Sequence, residues 1–189
     1  ASSRESRGKG VLVALNEKIN GARDVTKTNT TSADTFSSRE FGCLGYILDK
    51  RVYFFQQPDK RHTVRSEFSV RGLTSLPRVD ILYGHADVNR DIADASVKAG
   101  ARGIVYAGVG NGGIFSPVKN ALKDAAGKGV VIVRSTRAGS GIVTPYADYD
   151  KLGFIPSGSL NPQKSRILLM LALAKTNDLK EIQRMFREY

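Results

Sequence analysis

One lysine in this chain stands among side chains that could take part in its chemistry. Lys27 lies in the segment D-V-T-K-T-N-T-T, residues 24–31, together with four threonine hydroxyls and one asparagine amide. A lysine that is desolvated among hydroxyls can lose its proton near neutral pH and then activate a threonine as a nucleophile. The same residues also suit a polar loop, in which Thr and Asn side chains bond their own backbone and the lysine points into water. The pattern alone leaves both interpretations open.

A second chemical candidate is the glycine run G-V-G-N-G-G at residues 108–113, which formally matches the G-x-G-x-x-G pattern of dinucleotide-binding loops. The helix start at Ser116–Pro117 comes after the glycines, so that helix could not hold a pyrophosphate in the usual way. Arg134 ends the next strand, where a ribose-binding acid is expected, although an arginine could suit a 2′-phosphate. A nucleotide-binding or regulatory α/β module therefore stays an alternative. Two other interpretations of the glycine run stay open. It could be a loop whose backbone N–H and C=O groups bind a ligand, or a simple turn without a ligand.

The elements before Pro77 are short. Residues 10–16 form an apolar run with branched side chains, which predicts a buried strand. Residues 46–48 and 52–55 flank a polar turn, which predicts a hairpin. Residues 56–77 lack a sustained period and contain Pro58, Gly72 and Pro77, as a linker does.

After Pro77 strands and helices alternate. The pattern predicts strands at 79–84, 103–107 and 130–133, with helices at 91–99 and 116–126. The first helix is expected to place Ile92, Ala95 and Ala99 on one face, and the second to be capped by Ser116. This alternation predicts a parallel sheet covered by helices on both faces.

Two further helices are predicted at the end of the chain. Asn161 is expected to cap the first, in which residues 167–174 are apolar on all sides and therefore expected to be buried. Asp178 and Glu181 resemble a capping box at the start of the second. Its apolar stripe comprises Leu179, Ile182, Phe186 and Tyr189.

Composition narrows the function classes. The chain has 189 residues, 41% of them hydrophobic, which is enough for a packed core. The net charge of +11 suggests nucleic acid as a partner, but the basic residues form no long block or aromatic-interleaved stripe, so no nucleic-acid role is predicted. The longest apolar stretch, residues 167–174, is too short to span a membrane. Cys43 is the only cysteine and fits neither an internal disulfide nor a metal-ligand spacing.

Five separated segments resemble bacterial type II L-asparaginases, in that family's order and at nearly its spacing. They are K-G-V-L-V-A-L-N (9–16), A-R-D-V-T-K-T-N-T-T (22–31), G-I-V-Y-A-G-V-G-N-G (103–112), V-I-V-R-S-T-R (131–137) and S-L-N-P-Q-K-S-R-I-L-L-M-L-A-L (159–173). The resemblance implies the end of a larger N-terminal α/β domain at residues 1–55, a linker at 56–77 and a smaller C-terminal α/β domain at 78–189. That domain would have a parallel sheet flanked by helices.

The resemblance also implies an activity. Family members are amidohydrolases that convert L-asparagine to L-aspartate and ammonia, without a metal or organic cofactor. Lys27 matches their catalytic lysine, which forms a proton-relay set with a threonine and an aspartate. The family's T-G-G-T and H-G-T-D motifs, which carry the nucleophile, do not occur in this sequence. We therefore expect the chain to be a fragment that begins inside the N-terminal domain and is inactive by itself.

Two further positions match substrate-binding sites of the family, but with different residues. Gly113 stands where the family commonly has Asn or Ser, and Asp148 is the best match to a glutamate that binds the substrate's α-amino group. Both differences leave a broad glutaminase–asparaginase open as an alternative. The resemblance further implies a homotetramer, in which each active site borrows side chains from a neighbouring subunit, and a periplasmic or secreted location.

Overall fold

The computed structural model describes residues 3–189, and the chain divides between Glu67 and Phe68 into two units. The first unit consists of short antiparallel strands, and the second has a parallel sheet with helices on both faces. The mixed α/β class predicted from the sequence is therefore confirmed.

Six short strands lie among residues 3–67. They are Leu12–Leu15 (β1), Lys18–Gly21 (β2), Thr26–Lys27 (β3), Phe36–Ser37 (β4), Gly45–Leu48 (β5) and Arg51–Phe54 (β6). One sheet has the order β1-β2-β5-β6 with antiparallel pairing throughout, and β3 pairs with β4 as a separate ribbon. Single turns of 3-10 helix occur at Arg4–Ser6 and Thr63–Arg65.

Two hairpins of this unit turn through pairs of residues with left-handed backbone. Asn16 and Glu17 have φ values of 47° and 61°, and Asp49 and Lys50 have 48° and 62°. Two successive positive φ angles match the twist of the flanking strands. The hairpin predicted around residues 49–51 is confirmed. The hairpin at residues 16–17 was not predicted, because Glu17 is not a usual residue for a left-handed position.

The strand predicted at residues 10–16 is present as β1, but its predicted burial is wrong. β1 is an edge strand that pairs with β2 alone, and Leu15 at its end is exposed. β2 is the better buried strand of this hairpin, although it carries Lys18 and Asn20. β2 lies between β1 and β5, so neighbouring strands cover both of its edges, whereas one edge of β1 is open.

The second unit, residues 68–189, contains four strands and five helices. The strands are Val79–Tyr83 (β7), Gly103–Gly108 (β8), Val131–Thr136 (β9) and Ile155–Pro156 (β10). The helices are Asp91–Lys98 (α1), Ser116–Gly127 (α2), Ala147–Asp150 (α3), Pro162–Lys175 (α4) and Leu179–Glu188 (α5). The strands are parallel, in the order β10-β9-β8-β7.

Each face of this sheet packs against its own helices. One face packs against α4 and α5, and its cluster includes Val105, Val133, Leu169, Ile182 and Phe186. The other packs against α1 and α2, and its cluster includes Ile104, Tyr106, Ile132, Ala121 and Leu122. Burying one such Ile, Leu or Phe side chain contributes about 1.5–3 kcal/mol, so these two layers hold the unit together.

Three helix predictions need correction. In α1 the buried residues are Ala93 and Ser96, whereas Ile92 is exposed, because the helix packs through small side chains and Ser96 bonds Asp80 of β7 at 2.6 Å. Helix α2 begins at Ser116, so Ser116 is not its N-cap. Phe115 occupies the N-cap position, and its side chain makes no capping hydrogen bond. Helix α4 is not buried on all sides, since Ile167 is exposed.

The side-chain caps of the last two helices follow the sequence, but the capping box predicted from Asp178 and Glu181 is wrong, because the Asp178 N–H donates to the Thr176 hydroxyl instead. The Asn161 side chain accepts a hydrogen bond from the Lys164 N–H at 2.9 Å and caps α4. Asp178 caps α5 by accepting from the Lys180 N–H at 2.8 Å. Among residues 3–189, every helix is too short or too polar to cross a bilayer.

Candidate functional site

Lys27 lies in the two-residue strand β3, opposite Phe36 of β4. Its side chain is exposed, and within residues 3–189 its ammonium has no hydrogen bond or ion pair. In the described chain the ammonium is therefore solvated rather than enclosed by the neighbouring hydroxyls. The role of Lys27 as a catalytic residue stays a prediction.

The polar residues after Lys27 build the loop itself. The Asn29 side-chain oxygen accepts from the N–H groups of Thr31 and Ser32 at 2.9 and 3.0 Å. The Thr28 hydroxyl donates to the Thr35 carbonyl at 3.0 Å, and the Thr28 N–H donates to the same oxygen at 2.7 Å. These side chains bond backbone of their own loop, as the second interpretation of the sequence expected. The bonds fix the backbone just after Lys27.

Thr35 closes this loop from the other side. It is buried, its hydroxyl donates to the Asn29 carbonyl, and it accepts from the Asn29 N–H at 3.0 Å. The sequence argument did not single out Thr35, since it lies outside residues 24–31. Removing the Thr35 hydroxyl would break both of these hydrogen bonds and release the segment that presents Lys27.

The glycine run forms a tight loop at the carboxyl end of β8. Val109 and Gly113 exchange two backbone hydrogen bonds, of 3.2 Å from the Val109 N–H and 2.7 Å from the Gly113 N–H. Gly110 and Gly112 between them have φ values of 50° and 69°, which favour glycine. Gly113 is half-buried, and its backbone has no left-handed φ. Helix α2 begins only after this loop, at Ser116.

Asp148 lies in the first turn of the short helix α3 and is exposed. Its neighbour Tyr149 accepts a hydrogen bond from the Ile114 N–H at 3.1 Å. Helix α3 therefore lies against the glycine loop, and the structure brings the neighbourhoods of Gly113 and Asp148 together at the carboxyl ends of the parallel strands. Lys27 belongs to the other unit.

Arg134, considered from the sequence only as a possible 2′-phosphate ligand at the end of a strand, instead lies inside β9, which continues to Thr136. Its guanidinium donates through Nη1 to the Asn111 carbonyl and through Nη2 to the Thr144 carbonyl, both at 2.7 Å. The side chain is fully buried, and its Cζ lies 4.5 Å from the centre of the Tyr149 ring. Burial lowers the pKa of Arg134, while Tyr149 and Asp150 act in the opposite direction. The only charge in strand β9, directly after three apolar residues, is the sequence feature that marks it.

Arg137 connects the ends of the strands. Its Nη1 donates to the Gly84 carbonyl, just after β7, at 2.5 Å, and its backbone N–H donates to the Gly108 carbonyl of β8 at 2.9 Å. Together with Arg134 it ties the loops at the carboxyl edge, where open parallel sheets bind ligands. This edge offers backbone N–H and C=O groups to a small polar ligand. Among the described residues, no three His, Cys, Asp or Glu side chains are grouped so that they could hold a metal ion.

Comparison with known proteins gives matches to two family models. Residues 78–186 match the Glutaminase/Asparaginase C-terminal domain, and residues 1–60 match the N-terminal asparaginase family. The first match covers more than half of the chain.

Individual relatives agree with these matches. The chain is 51% identical to L-asparaginase 2 of Bacillus subtilis over 189 residues, which is 100% of this chain and 50% of that protein. It is 46% identical to Probable L-asparaginase periplasmic of Haemophilus influenzae, over 100% of this chain and 55% of that protein. The chain spans about half the length of these curated relatives.

A solved structure is also similar. The crystal structure of Probable Cytoplasmic L-asparaginase from Campylobacter jejuni matches with a TM-score of 0.96 and 47% sequence identity. The match covers 99% of this chain and 61% of that one.

Proposed function

The chain belongs to the glutaminase/asparaginase family, and we propose that it forms part of an amidohydrolase that converts L-asparagine to L-aspartate and ammonia. The observation that carries the proposal is the identity of 51% to a protein named L-asparaginase 2 along all 189 residues. It is supported by the match of both units to asparaginase families. For this function we propose the domain division given above, with residues 1–55, 56–77 and 78–189 as N-terminal part, linker and C-terminal domain.

In the proposed reaction a threonine hydroxyl attacks the carbon of the side-chain amide. The carbon–nitrogen bond breaks, ammonia leaves with the proton that the threonine lost, and water then releases the acid from the acyl-enzyme. Lys27 would accept and relay the threonine proton. Backbone N–H groups would stabilise the oxyanion that develops on the amide oxygen.

The nucleophile of this proposal is not among residues 1–189, because neither T-G-G-T nor H-G-T-D occurs there. Lys27 is exposed in the described chain. To act as a base it would have to be covered in the complete site, since an amine loses its proton more easily when its charged form is desolvated. The hydrogen-bonded loop after Lys27 supports this role, because it fixes the backbone that presents the amine.

Gly113 and Asp148 are proposed to contact the amino-acid end of the substrate. Asp148 is an exposed carboxylate, suited to the α-amino group, and Gly113 offers backbone groups at the adjacent loop. Following the family, we propose a homotetramer in which these residues complete the active site of a neighbouring subunit.

A second candidate function is a broad glutaminase–asparaginase. It is favoured by Gly113, which has no side chain to hydrogen-bond or crowd a longer substrate, and L-glutamine exceeds L-asparagine by one methylene group. A pocket discriminates one methylene by about 1–3 kcal/mol, so a single side chain at this position can shift the preference.

The proposed chemistry uses no metal or organic cofactor. A periplasmic or secreted location is proposed from the resemblance to type II enzymes. The names of the relatives point to different compartments, periplasmic for the Haemophilus influenzae protein and cytoplasmic for the Campylobacter jejuni protein.

The function is tested with the full-length enzyme, purified from its source organism. Ammonia is measured by a coupled assay and the amino-acid product by chromatography, with L-asparagine and L-glutamine as substrates. Equal amounts of ammonia and L-aspartate from L-asparagine are expected. The proposal fails if neither amide releases ammonia above the blank.

The role of Asp148 is tested with succinamate, which is L-asparagine without its α-amino group. Asp148→Asn should lower kcat/KM for L-asparagine and leave that for succinamate unchanged, since only the first substrate has the ammonium that Asp148 binds. Asp150→Asn, an exposed acid in the same short helix, is the control. An equal loss for both substrates would exclude contact with the α-amino group.

A further inference from the structure

Arg134 carries a charge in the interior of the second unit. It is fully buried, and within residues 3–189 it forms no ion pair with a carboxylate. Burying an unpaired charge is costly unless hydrogen bonds compensate for it. The partners it has instead are two backbone carbonyls, of Asn111 and Thr144, and the face of Tyr149. All three partners lie on loops or on the short helix α3 rather than in the sheet.

Asn111 and Thr144 also bond each other directly. The Asn111 Nδ2 donates to the Thr144 Oγ1 at 2.9 Å, and the Thr144 N–H donates to the Asn111 Oδ1 at 2.8 Å. Two hydrogen bonds thus connect the glycine loop, residues 109–115, to the loop that follows β9, residues 137–146, and two more join Arg134 to each of these loops. We call Arg134, Asn111, Thr144 and Tyr149 the clasp.

Tyr149 extends the clasp to helix α3. Its ring lies against the Arg134 guanidinium and stacks on Phe154 at a centroid distance of 6.2 Å. Its hydroxyl accepts from the Ile114 N–H at 3.1 Å, which is the residue after Gly113. One aromatic side chain thus touches the buried arginine and the glycine loop, and it is adjacent in sequence to Asp148.

The two proposed substrate contacts lie on either side of this clasp. Gly113 is two residues after Asn111, and Asp148 is one residue before Tyr149. Arg134 contacts the glycine loop through Asn111 and helix α3 through Tyr149, so its planar guanidinium lies between the elements that carry Gly113 and Asp148.

We propose that Arg134 is a positioning residue that holds the glycine loop with Gly113 and helix α3 with Asp148 in one arrangement and so determines the affinity for the amino-acid end of the substrate. The substrate part of this inference rests on the proposed function. Arg134 itself is buried beneath the loops and touches no substrate.

The first test replaces Arg134 by lysine in the full-length enzyme. A single ammonium cannot donate to both loop carbonyls in the geometry of a guanidinium. Because charge-assisted hydrogen bonds are lost, we expect KM for L-asparagine to rise by about tenfold or more. The kcat should change little, since the reacting amide is held elsewhere. The control is Arg166→Lys, since Arg166 is a partly buried arginine that donates to the Val79 carbonyl at 2.7 Å, where β7 begins.

A second measurement does not depend on activity. Hydrogen exchange at the Gly113 and Ile114 amides should be faster in Arg134→Lys than in the wild type and unchanged in Arg166→Lys. If the wild type hydrolyses neither amide, the proposed function and the substrate role are both overturned, while exchange still reports whether Arg134 holds the loops. Unchanged exchange would overturn the clasp, and unchanged KM with faster exchange would overturn its role in affinity.

A third test covers the case in which Arg134→Lys fails to fold. Asn111→Ala and Thr144→Ala alter exposed side chains at the surface of the clasp. Asn111→Ala removes both hydrogen bonds of the pair, whereas Thr144→Ala removes only the bond to its hydroxyl, because the Thr144 backbone N–H remains. The double variant should therefore raise KM no more than Asn111→Ala alone. Additive effects on KM would mean that the two residues act independently, and the inference would be wrong.

Discussion

A methyl group at Gly112 should destabilise the second unit strongly. Gly112 has a φ of 69° and is buried, and a Cβ at this position would lie 3.0 Å from the Ser135 carbonyl oxygen, 3.2 Å from Val143 Cγ1 and 3.3 Å from Arg134 Nη1. A left-handed backbone costs a non-glycine residue about 1–2 kcal/mol. Crowding of this kind in a packed interior adds about 1–3 kcal/mol, since the 3.0 Å contact is with backbone that cannot rotate away. We therefore expect Gly112→Ala to lower the free energy of unfolding by about 2–5 kcal/mol.

Gly110 provides the matched control. It also has a left-handed φ, of 50°, but a Cβ there meets no atom within 4 Å. Gly110→Ala should therefore cost about 1–2 kcal/mol, from the backbone alone. The difference between the two variants isolates the crowding at Gly112.

The assay is urea unfolding followed by tyrosine fluorescence, with the free energy extrapolated to water. Gly112→Ala is expected to lose more stability than Gly110→Ala by about 1–3 kcal/mol. Equal losses in the two variants would show that the glycine loop is not packed closely against Ser135, Val143 and Arg134 at Gly112.

Three further predictions concern separate elements. Gly113→Asn should change the ratio of kcat/KM for L-asparagine over L-glutamine by several-fold, as one added hydrogen bond is worth about 0.5–1.5 kcal/mol; an unchanged ratio would mean that Gly113 does not face the ligand. Asn161→Ala should lower the free energy of unfolding by about 1 kcal/mol in urea, through loss of the α4 cap, and Asn161→Asp should restore most of it. Although burial raises the pKa of Asp80, hydrogen bonds from Ser96 and Arg78 bring it below its usual range. Its stabilisation is therefore present above the unfolded pKa and lost as the pH falls through the lower folded pKa, so Asp80→Asn should flatten the acid limb of the stability curve below about pH 4; an unchanged limb would contradict this.

Sequence alone predicted the second unit well because its elements have strong local patterns. The apolar strands β8 and β9 and the caps Asn161 and Asp178 are all encoded within a few neighbouring residues. The buried face of α1 was missed, since apolar periodicity selects Ile92 while the packing uses Ala93 and the hydrogen bond of Ser96. Tertiary contacts decided that face, and they are not visible in a local pattern.

The candidate site was predicted only in part. The glycine loop, Lys27 and Asp148 could be found from motifs and from resemblance to a family. The clasp could not, because Arg134, Asn111 and Thr144 are far apart in sequence and meet only after β8 and β9 pair. Long-range hydrogen bonds of this kind leave no spacing to recognise.

The proposed reaction depends most directly on Lys27. The decisive measurement is kcat for L-asparagine in the Lys27→Met variant of the full-length enzyme. Methionine keeps the apolar stem but removes the amine that would relay the proton, so kcat should fall by at least about 10²–10⁴-fold. L-aspartate binding by calorimetry should be retained, and Lys50→Met, at another exposed lysine of the same unit, should behave as the wild type. A kcat near the wild-type value in Lys27→Met would contradict the assignment of Lys27 to the reaction.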